Sequence, residues 1–138
     1  KNGYGFLPVV SPAPKDHHSL LQLYLDGPKD KLFYIFSSEL NKKLKINSDI
    51  LNKKFSFLQN KSLGSIKIAQ KKAFIKALEK KNIPYREFKI KKFNEEVLGE
   101  LFAYFLLETA LTGKIVNLNP FDQPAVEQVK INTKKILI

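Results

Sequence analysis

The stretch L-F-Y-I-F, from Leu32 to Phe36, is a continuous apolar and aromatic run. Consecutive apolar residues without polar alternation suit a strand that is buried on both faces, as in a parallel sheet covered by helices. Helical patterns follow this run along the sequence. The stretch therefore predicts an α/β fold with a short, mostly parallel sheet.

Two helices are predicted on either side of this strand. A short one runs from His17 to Leu25, with Asp16 as its N-cap and Gly27 at its end. A longer one runs from the cap Ser62 to about Lys81, and Asn82 with the following Pro84 ends it. Its apolar residues recur at helical spacing, and they are Leu63, Ile66, Ala69, Ala73, Ala77 and Leu78. Residues 37–59 between these helices give no firm assignment.

The most hydrophobic helix is predicted from Glu95 to Thr112, after a second strand over Tyr85 to Ile90. Asn94 is its expected N-cap, and Gly113 is expected just past its end. Because few polar residues interrupt its circumference, we expect this helix to be central. Both of its ends are well marked.

The rest of the chain is read as a short strand over Lys114 to Asn119 and a final helix capped by Asp122. A chain of 138 residues with 43% hydrophobic content suits one domain with its own core. We therefore expect a single domain over residues 1–138.

The composition excludes several chemistries. Cysteine is absent, which excludes disulfides, a thiolate nucleophile and zinc sites built on cysteine. Methionine is absent even at position 1, which is interpreted as a processed or truncated chain. The longest apolar run, Leu101 to Leu107, is too short for a membrane span, and no signal peptide is recognised. The expectation is a soluble cytoplasmic protein without a membrane partner.

The net charge of +11 raises nucleic acid as a partner, but its make-up disfavours that interpretation. Only one of the 24 basic residues, Arg86, is arginine, whereas nucleic-acid interfaces favour the planar guanidinium. The excess is confined to residues 29–92, with 18 basic and 5 acidic residues. A solvated lysine-rich surface is favoured, and no nucleic-acid partner is expected.

Two places could carry chemistry. His17 and His18 are neighbours, so on a helix their rings point about 100° apart and do not share one metal ion. A histidine near a helix N-terminus suits general acid/base work, although a capping or loop role is favoured from the residue type alone. On the last helix, Gln123, Glu127 and Lys130 share one stripe, but Lys130 with Glu127 also suits a simple surface ion pair. No metal-binding spacing, glycine-rich phosphate loop or dinucleotide fingerprint is present.

The segment Gly113 to Lys130, G-K-I-V-N-L-N-P-F-D-Q-P-A-V-E-Q-V-K, resembles the second signature of the glucose-6-phosphate isomerase (phosphoglucose isomerase) family. That signature contains a [FY]-[DN]-Q-x-G-V-E-x-x-K stretch. The matching residues are Phe121, Asp122, Gln123, Val126, Glu127 and Lys130. Ala125 stands where the family usually has glycine.

A second resemblance to the same family lies at Asp16 to Leu23, D-H-H-S-L-L-Q-L. It is similar to the family's Q-H-x-x-x-Q-L stretch, with His18 at the catalytic histidine and His17 in place of the usual glutamine. Gln22 and Leu23 match. The segment Gly99 to Ala110 looks like the family helix that precedes the second signature.

Some family parts are not found here. The first signature contains a Gly-Gly-Arg turn, and Arg86 lies in no such motif. The family's proton-shuttling glutamate lies upstream of the histidine segment, where no acidic residue precedes Asp16. The resemblance therefore implies a C-terminal part, without that glutamate, and inactive alone.

The resemblance implies a three-layer αβα sandwich, with residues 1–138 forming the sugar-isomerase-type C-terminal domain of a longer two-domain enzyme. Its activity would be the isomerisation of glucose 6-phosphate and fructose 6-phosphate, without metal or organic cofactor. His18 would assist ring opening, Lys130 would support that step from the ring-oxygen side, and Gln123 would contact the phosphosugar near its phosphate. A homodimer is implied for the intact enzyme.

Two alternatives remain open. Sugar-isomerase-type domains also occur in regulators, so a non-catalytic phosphosugar-binding regulatory domain is the main one. An adaptor that binds polyanions through its lysine-rich middle is the other, and its affinity would fall steeply with salt.

Overall fold

A computed structural model of the protein describes residues 5–38, 45–46 and 52–138. The chain forms two compact units. One is Pro8–Phe93, and the other is Asn94–Ile138 together with the described N-terminal residues up to Leu7. The single domain expected over residues 1–138 stays a prediction. Residues 39–44 and 47–51 of the unassigned segment lie outside the described residues.

The described residues of the unit Pro8–Phe93 form two α-helices and two strands. The helices are α1 (Leu21–Asp26) and α2 (Leu63–Lys80), and the strands are β1 (Phe33–Ser38) and β2 (Tyr85–Ile90). The same residues include 3₁₀ helices at Lys15–His17 and Lys53–Leu58. The other unit contains α3 (Glu95–Ile115) and α4 (Pro124–Leu137).

Strands β1 and β2 pair in parallel, in a register that sets Phe33 opposite Tyr85 and Ser38 opposite Ile90. Parallel strands need a long crossover, and α2 lies in the connection between them. The α/β class with a short parallel sheet is therefore confirmed. The three-layer order of the sandwich stays a prediction.

Both ends of α2 follow the predicted signals. The Ser62 hydroxyl accepts a hydrogen bond from the amide of Ser65 at 3.1 Å, which satisfies one of the free amides of the first turn. At the other end Asn82 has a φ of 54°, and the amide of Ile83 bonds the carbonyl of Leu78 at 2.9 Å. This is the left-handed ending that asparagine tolerates.

The inner face of α2 agrees with the predicted one only in part. Leu78 is buried and Ile66 and Ala77 are half-buried, as predicted, whereas Leu63, Ala69 and Ala73 are exposed. The inner face also includes Lys71, whose amine lies 2.6 Å from Glu87 and 3.1 Å from the Ser37 hydroxyl. This charged residue interrupts the apolar pattern, so the sequence spacing identified only part of the buried face.

Lys71 also lowers the pKa of Glu87. Its hydrogen bond, helped by Lys89 at 3.3 Å, holds the pKa of the Glu87 carboxyl below its ordinary value. Partial burial opposes this shift. Glu87 thus stays ionised to lower pH in the folded chain than in the unfolded one.

We expect Lys71→Met to weaken the dependence of stability on acidic pH. A carboxyl with a lowered pKa adds stability above its ordinary pKa, and that stability is lost as the pH falls through the lowered value. Urea unfolding from about pH 7 to about pH 3 would measure this loss, with the exposed neighbour variant Lys72→Met as control. Equal pH profiles for wild type and Lys71→Met would contradict the assignment.

The first helix begins later than predicted. Lys15–His17 form a 3₁₀ helix, and α1 starts only at Leu21. The Asp16 side chain does not cap either element, so that prediction is wrong. Instead, the carbonyl of Asp16 accepts the amides of Ser19 and Leu20 at 3.3 and 2.8 Å, which keeps the turn tight.

Gly27 ends α1 as predicted, because a side chain does not fit there. A Cβ at this position would lie 2.3 Å from the carbonyl oxygen of Leu23. At Gly99, in the exposed part of α3, a Cβ would meet nothing within 4 Å.

We expect Gly27→Ala to destabilise the protein by about 1–3 kcal/mol, because the backbone must shift to remove the clash. Gly99→Ala is the matched control, and we expect it to stabilise the protein by up to about 1 kcal/mol through better helix propensity. Thermal unfolding of both variants would measure the difference. A Gly27→Ala melting temperature at or above that of the wild type would disprove the close approach.

Helix α3 begins as predicted but ends later. The Asn94 side chain accepts a hydrogen bond from the amide of Val97 at 3.1 Å. The helix continues through Gly113 to Ile115, and Asn117, with a φ of 54°, takes the left-handed position. The predicted strand over Lys114 to Asn119 is therefore wrong.

Gly113 serves packing instead of ending the helix. It is buried, and a Cβ there would lie 3.0 Å from the ring of Pro120. The amide of Leu118 bonds the carbonyl of Gly113 at 2.8 Å, so the chain turns back over this point. Gly113 does lie near the end of α3, as predicted, but glycine is needed there because the Pro120 ring packs closely against it.

One side of α3 exposes large apolar residues. Phe102, Leu106, Leu107 and Leu111 are each more than 60% exposed. The expectation that this helix is central is wrong for the chain as it stands. Its hydrophobicity predicted burial, and within the described residues that burial is incomplete.

Candidate functional site

His18 lies in the turn between the 3₁₀ helix and α1, and its side chain is exposed. Its amide donates to the carbonyl of Lys15 at 3.3 Å. Among the described residues, its imidazole makes no hydrogen bond. An exposed imidazole without protein partners can give or take a proton at a bound molecule.

His17 differs from its neighbour in environment, as the divergence of adjacent positions predicts. Its ring is half-buried and lies 4.9 Å, centroid to centroid, from the ring of Phe74 on α2. Phe74 contacts Phe33 at 5.7 Å, and Phe33 contacts Tyr24 of α1 at 5.3 Å. We call His17, Phe74, Phe33 and Tyr24 the aromatic chain.

The sequence did not indicate Phe74 as part of this region. A signal was present, because Phe74 lies four residues before the buried Leu78 and shares its side of α2. The predicted stripe included Leu78 but took Ala73 instead of Phe74 one turn earlier. The contact with His17 spans 57 residues of sequence, which no local pattern reports.

Gln123 immediately precedes α4. Pro124 is the first residue of the helix, where proline is favoured, and the carbonyl of Gln123 accepts the amides of Val126 and Glu127 at 3.0 and 3.2 Å. Asp122 makes no capping bond, so the predicted cap is wrong. Gln123 is exposed, as are all residues of α4.

Lys130 lies two turns further along α4, and its amine bonds the Glu127 carboxylate at 2.6 Å. The side chains are 66% and 61% exposed. This is the surface ion pair that the spacing also allowed. Exposed pairs contribute only about 0.2–1 kcal/mol, so a bound anion can compete for this amine.

The sequence-predicted residues thus divide between the two units. His18 belongs to Pro8–Phe93, whereas Gln123 and Lys130 belong to the unit that contains α3 and α4. No group of three or more histidine, aspartate or glutamate side chains suited to a metal ion occurs in the described part of the chain. Within the same residues, no helix is both long and apolar enough to cross a membrane.

Comparison with curated proteins gives relatives that share one name. A probable glucose-6-phosphate isomerase from Methanococcus maripaludis is 33% identical in an alignment of 131 positions that covers 94% of this chain and 29% of that protein. Glucose-6-phosphate isomerase from Campylobacter jejuni is 34% identical in an alignment of 141 positions, gaps included, that covers 99% of this chain and 35% of the relative. The chain spans about a third of the length of these curated relatives.

A solved structure supports the fold. A hypothetical protein from Thermus thermophilus matches with a TM-score of 0.74 and 29% identity, covering 91% of this chain and 30% of that chain. No protein-family model matches the chain.

The chain is therefore similar to a class of isomerases. Its relatives are named glucose-6-phosphate isomerases, and the resemblance predicted from the two motifs is confirmed. The 99% share matched in the Campylobacter jejuni relative includes both motif segments.

Proposed function

We propose that this chain is the C-terminal part of a glucose-6-phosphate isomerase, which interconverts glucose 6-phosphate and fructose 6-phosphate. The similarity at 33–34% identity over 94–99% of the chain carries the proposal. Because the chain spans about a third of such relatives, the rest of the catalytic machinery comes from outside it. Both units would belong to one sugar-isomerase-type domain of the longer enzyme.

The reaction has two parts, of which this chain supplies residues for the first. His18 acts as the acid/base that opens the sugar ring, and its exposed imidazole without a protein hydrogen bond suits that role. Lys130 stabilises negative charge that develops at the ring oxygen, as a point charge released from its weak pair with Glu127. Gln123 binds the substrate near its phosphate.

The second part is proton transfer between C1 and C2 through a cis-enediol. Its base is a glutamate supplied from outside this chain. Proton transfer next to a carbonyl needs an acid/base and charge stabilisation, and the proposal requires no metal or organic cofactor. A homodimer, in which the histidine reaches the partner's site, completes the proposed enzyme.

We expect the chain alone to show only background isomerase activity, because it lacks the base that moves the C2 proton. A coupled assay that detects glucose 6-phosphate formed from fructose 6-phosphate would measure this. A full-length enzyme that contains the sequence should turn over in the same assay. Turnover by the chain alone at the rate of the full-length enzyme would show that the base lies within it.

A phosphosugar-binding regulator would behave differently. It would bind glucose 6-phosphate or fructose 6-phosphate in preference to glucose, and the full-length protein would show no turnover. Calorimetric titration with the three sugars, combined with the coupled assay, therefore separates the two functions.

A further inference from the structure

The turn that carries His18 is supported locally by short-range backbone hydrogen bonds. The amides of residues 16–20 donate to the carbonyls of Pro12, Pro14, Lys15 and Asp16 at 2.8 to 3.3 Å, around a three-residue 3₁₀ helix. Short 3₁₀ segments have poor hydrogen-bond geometry, and a short helix such as α1 is not stable in isolation. Tertiary contacts must therefore help to fix the position of this turn.

The aromatic chain supplies those contacts on both sides of His18. Immediately before it, the His17 ring packs on Phe74 at 4.9 Å and an interplanar angle of 41°. Six residues after it, Tyr24 meets Phe33 edge to face at 5.3 Å. His18 itself stays exposed between these two anchors.

Phe74 is the point where the two anchors join. It touches His17 and also meets Phe33 edge to face, at 5.7 Å and 86°. Phe33 is held in the sheet by pairing with Tyr85 and by the bond from its amide to the carbonyl of Pro84 at 3.0 Å. The rings of Phe74 and Phe33 thus connect the turn that carries His18 to the sheet.

We propose that Phe74 is a positioning residue for His18, acting through its ring contacts with His17 and Phe33. This inference rests on the proposed function for its catalytic meaning, but its structural part is independent of activity. Phe74 touches no substrate in this proposal. It holds the backbone of the turn from which the His18 side chain projects.

The first test measures backbone order in this chain by NMR relaxation. Phe74→Leu keeps apolar bulk but removes the ring, and we expect order parameters at residues 15–20 to fall from about 0.85 to below about 0.6. Phe88→Leu is the matched control, because Phe88 is an aromatic residue of the same sheet whose ring contacts Tyr34 and Phe36. Unchanged order at residues 15–20 in a folded Phe74→Leu chain would overturn the proposal.

A second pair of variants covers the case in which Phe74→Leu fails to fold. His17→Ser removes only the half-buried outer end of the aromatic chain, and we expect the same loss of order at residues 15–20. His17→Phe keeps a ring against Phe74 and should retain the wild-type order. If His17→Ser kept the turn ordered, the ring contact would not position His18.

The catalytic part is tested in a full-length isomerase that contains this sequence. Phe74→Leu should lower kcat for cyclic glucose 6-phosphate about 10-fold or more, since misplacing a catalytic group by an ångström is that costly. Activity on an aldose phosphate whose chain cannot close a ring should change much less. Equal losses on both substrates would show a structural role only, and would overturn the proposal.

The two measurements separate this inference from the proposed function. If residues 15–20 lose order in Phe74→Leu but the full-length wild type has no isomerase activity, the positioning holds and the proposed function fails. If the full-length wild type is active and the order of the turn does not depend on Phe74, the proposed function holds and the positioning role fails.

Discussion

His18→Ala, in a full-length isomerase that contains this sequence, is expected to lower kcat/KM for cyclic glucose 6-phosphate by about 10² to 10⁴-fold. This is the usual contribution of a general acid/base, and ring opening requires a proton to be moved at the ring oxygen. The loss should be far smaller for an aldose phosphate that cannot cyclise, because its carbonyl is already free. Steady-state kinetics on both substrates would measure the ratio.

Ser19→Ala is the matched control for His18→Ala. Ser19 is exposed in the same turn, and its amide bonds Asp16 through the backbone, which the substitution leaves intact. We expect kinetics close to those of the wild type. If His18→Ala also left the rate on the cyclic substrate unchanged, the role would have to move to His17, and the motif would be misaligned by one residue.

Lys130→Ala should lower kcat by about 10²-fold in the same enzyme, if its charge stabilises the transition state. The amine lies against Glu127 in this structure, and this exposed pair is too weak to hold it there against a phosphosugar oxyanion. Lys130→Arg should recover part of the activity, because it keeps the charge but not the compact ammonium geometry. Initial rates under saturating substrate would give kcat directly.

Lys134→Ala provides the control for Lys130→Ala. Lys134 is also exposed, one turn later on α4, and should be dispensable. If Lys130→Ala and Lys134→Ala were both neutral in kcat, Lys130 would be only the surface partner of Glu127. The proposed mechanism would then lack its charge at the ring oxygen.

Local signals in the sequence predicted the elements whose causes are local. Ser62 and Asn94 were identified as caps because a side-chain oxygen three residues ahead of a free amide is enough to begin a helix. Asp16 and Asp122 carry the same signal but make no capping bond, because their helices begin later, at Leu21 and Pro124. The residue that becomes the N-cap depends on where the helix starts. For short helices, tertiary packing determines that starting point.

Features that depend on distant residues were not predictable. Lys71 on the inner face of α2 makes sense only with Glu87 opposite it on β2. Gly113 was read as a helix end, because the ring of Pro120 that packs there comes seven residues later. The motifs distinguished His18 from His17, but the contact between His17 and Phe74 had no signature of its own.

The exposed leucines and phenylalanine on α3 decide how the isolated chain must be handled. An apolar surface of this kind promotes aggregation, whereas a net charge of +11 keeps molecules apart. The repulsion is screened within about 10 Å at 0.1 M salt, but the apolar attraction is not. Solubility should therefore fall as salt is added, most steeply with sulfate. Dilute, low-salt buffer is the condition in which the chain stays in solution long enough for NMR.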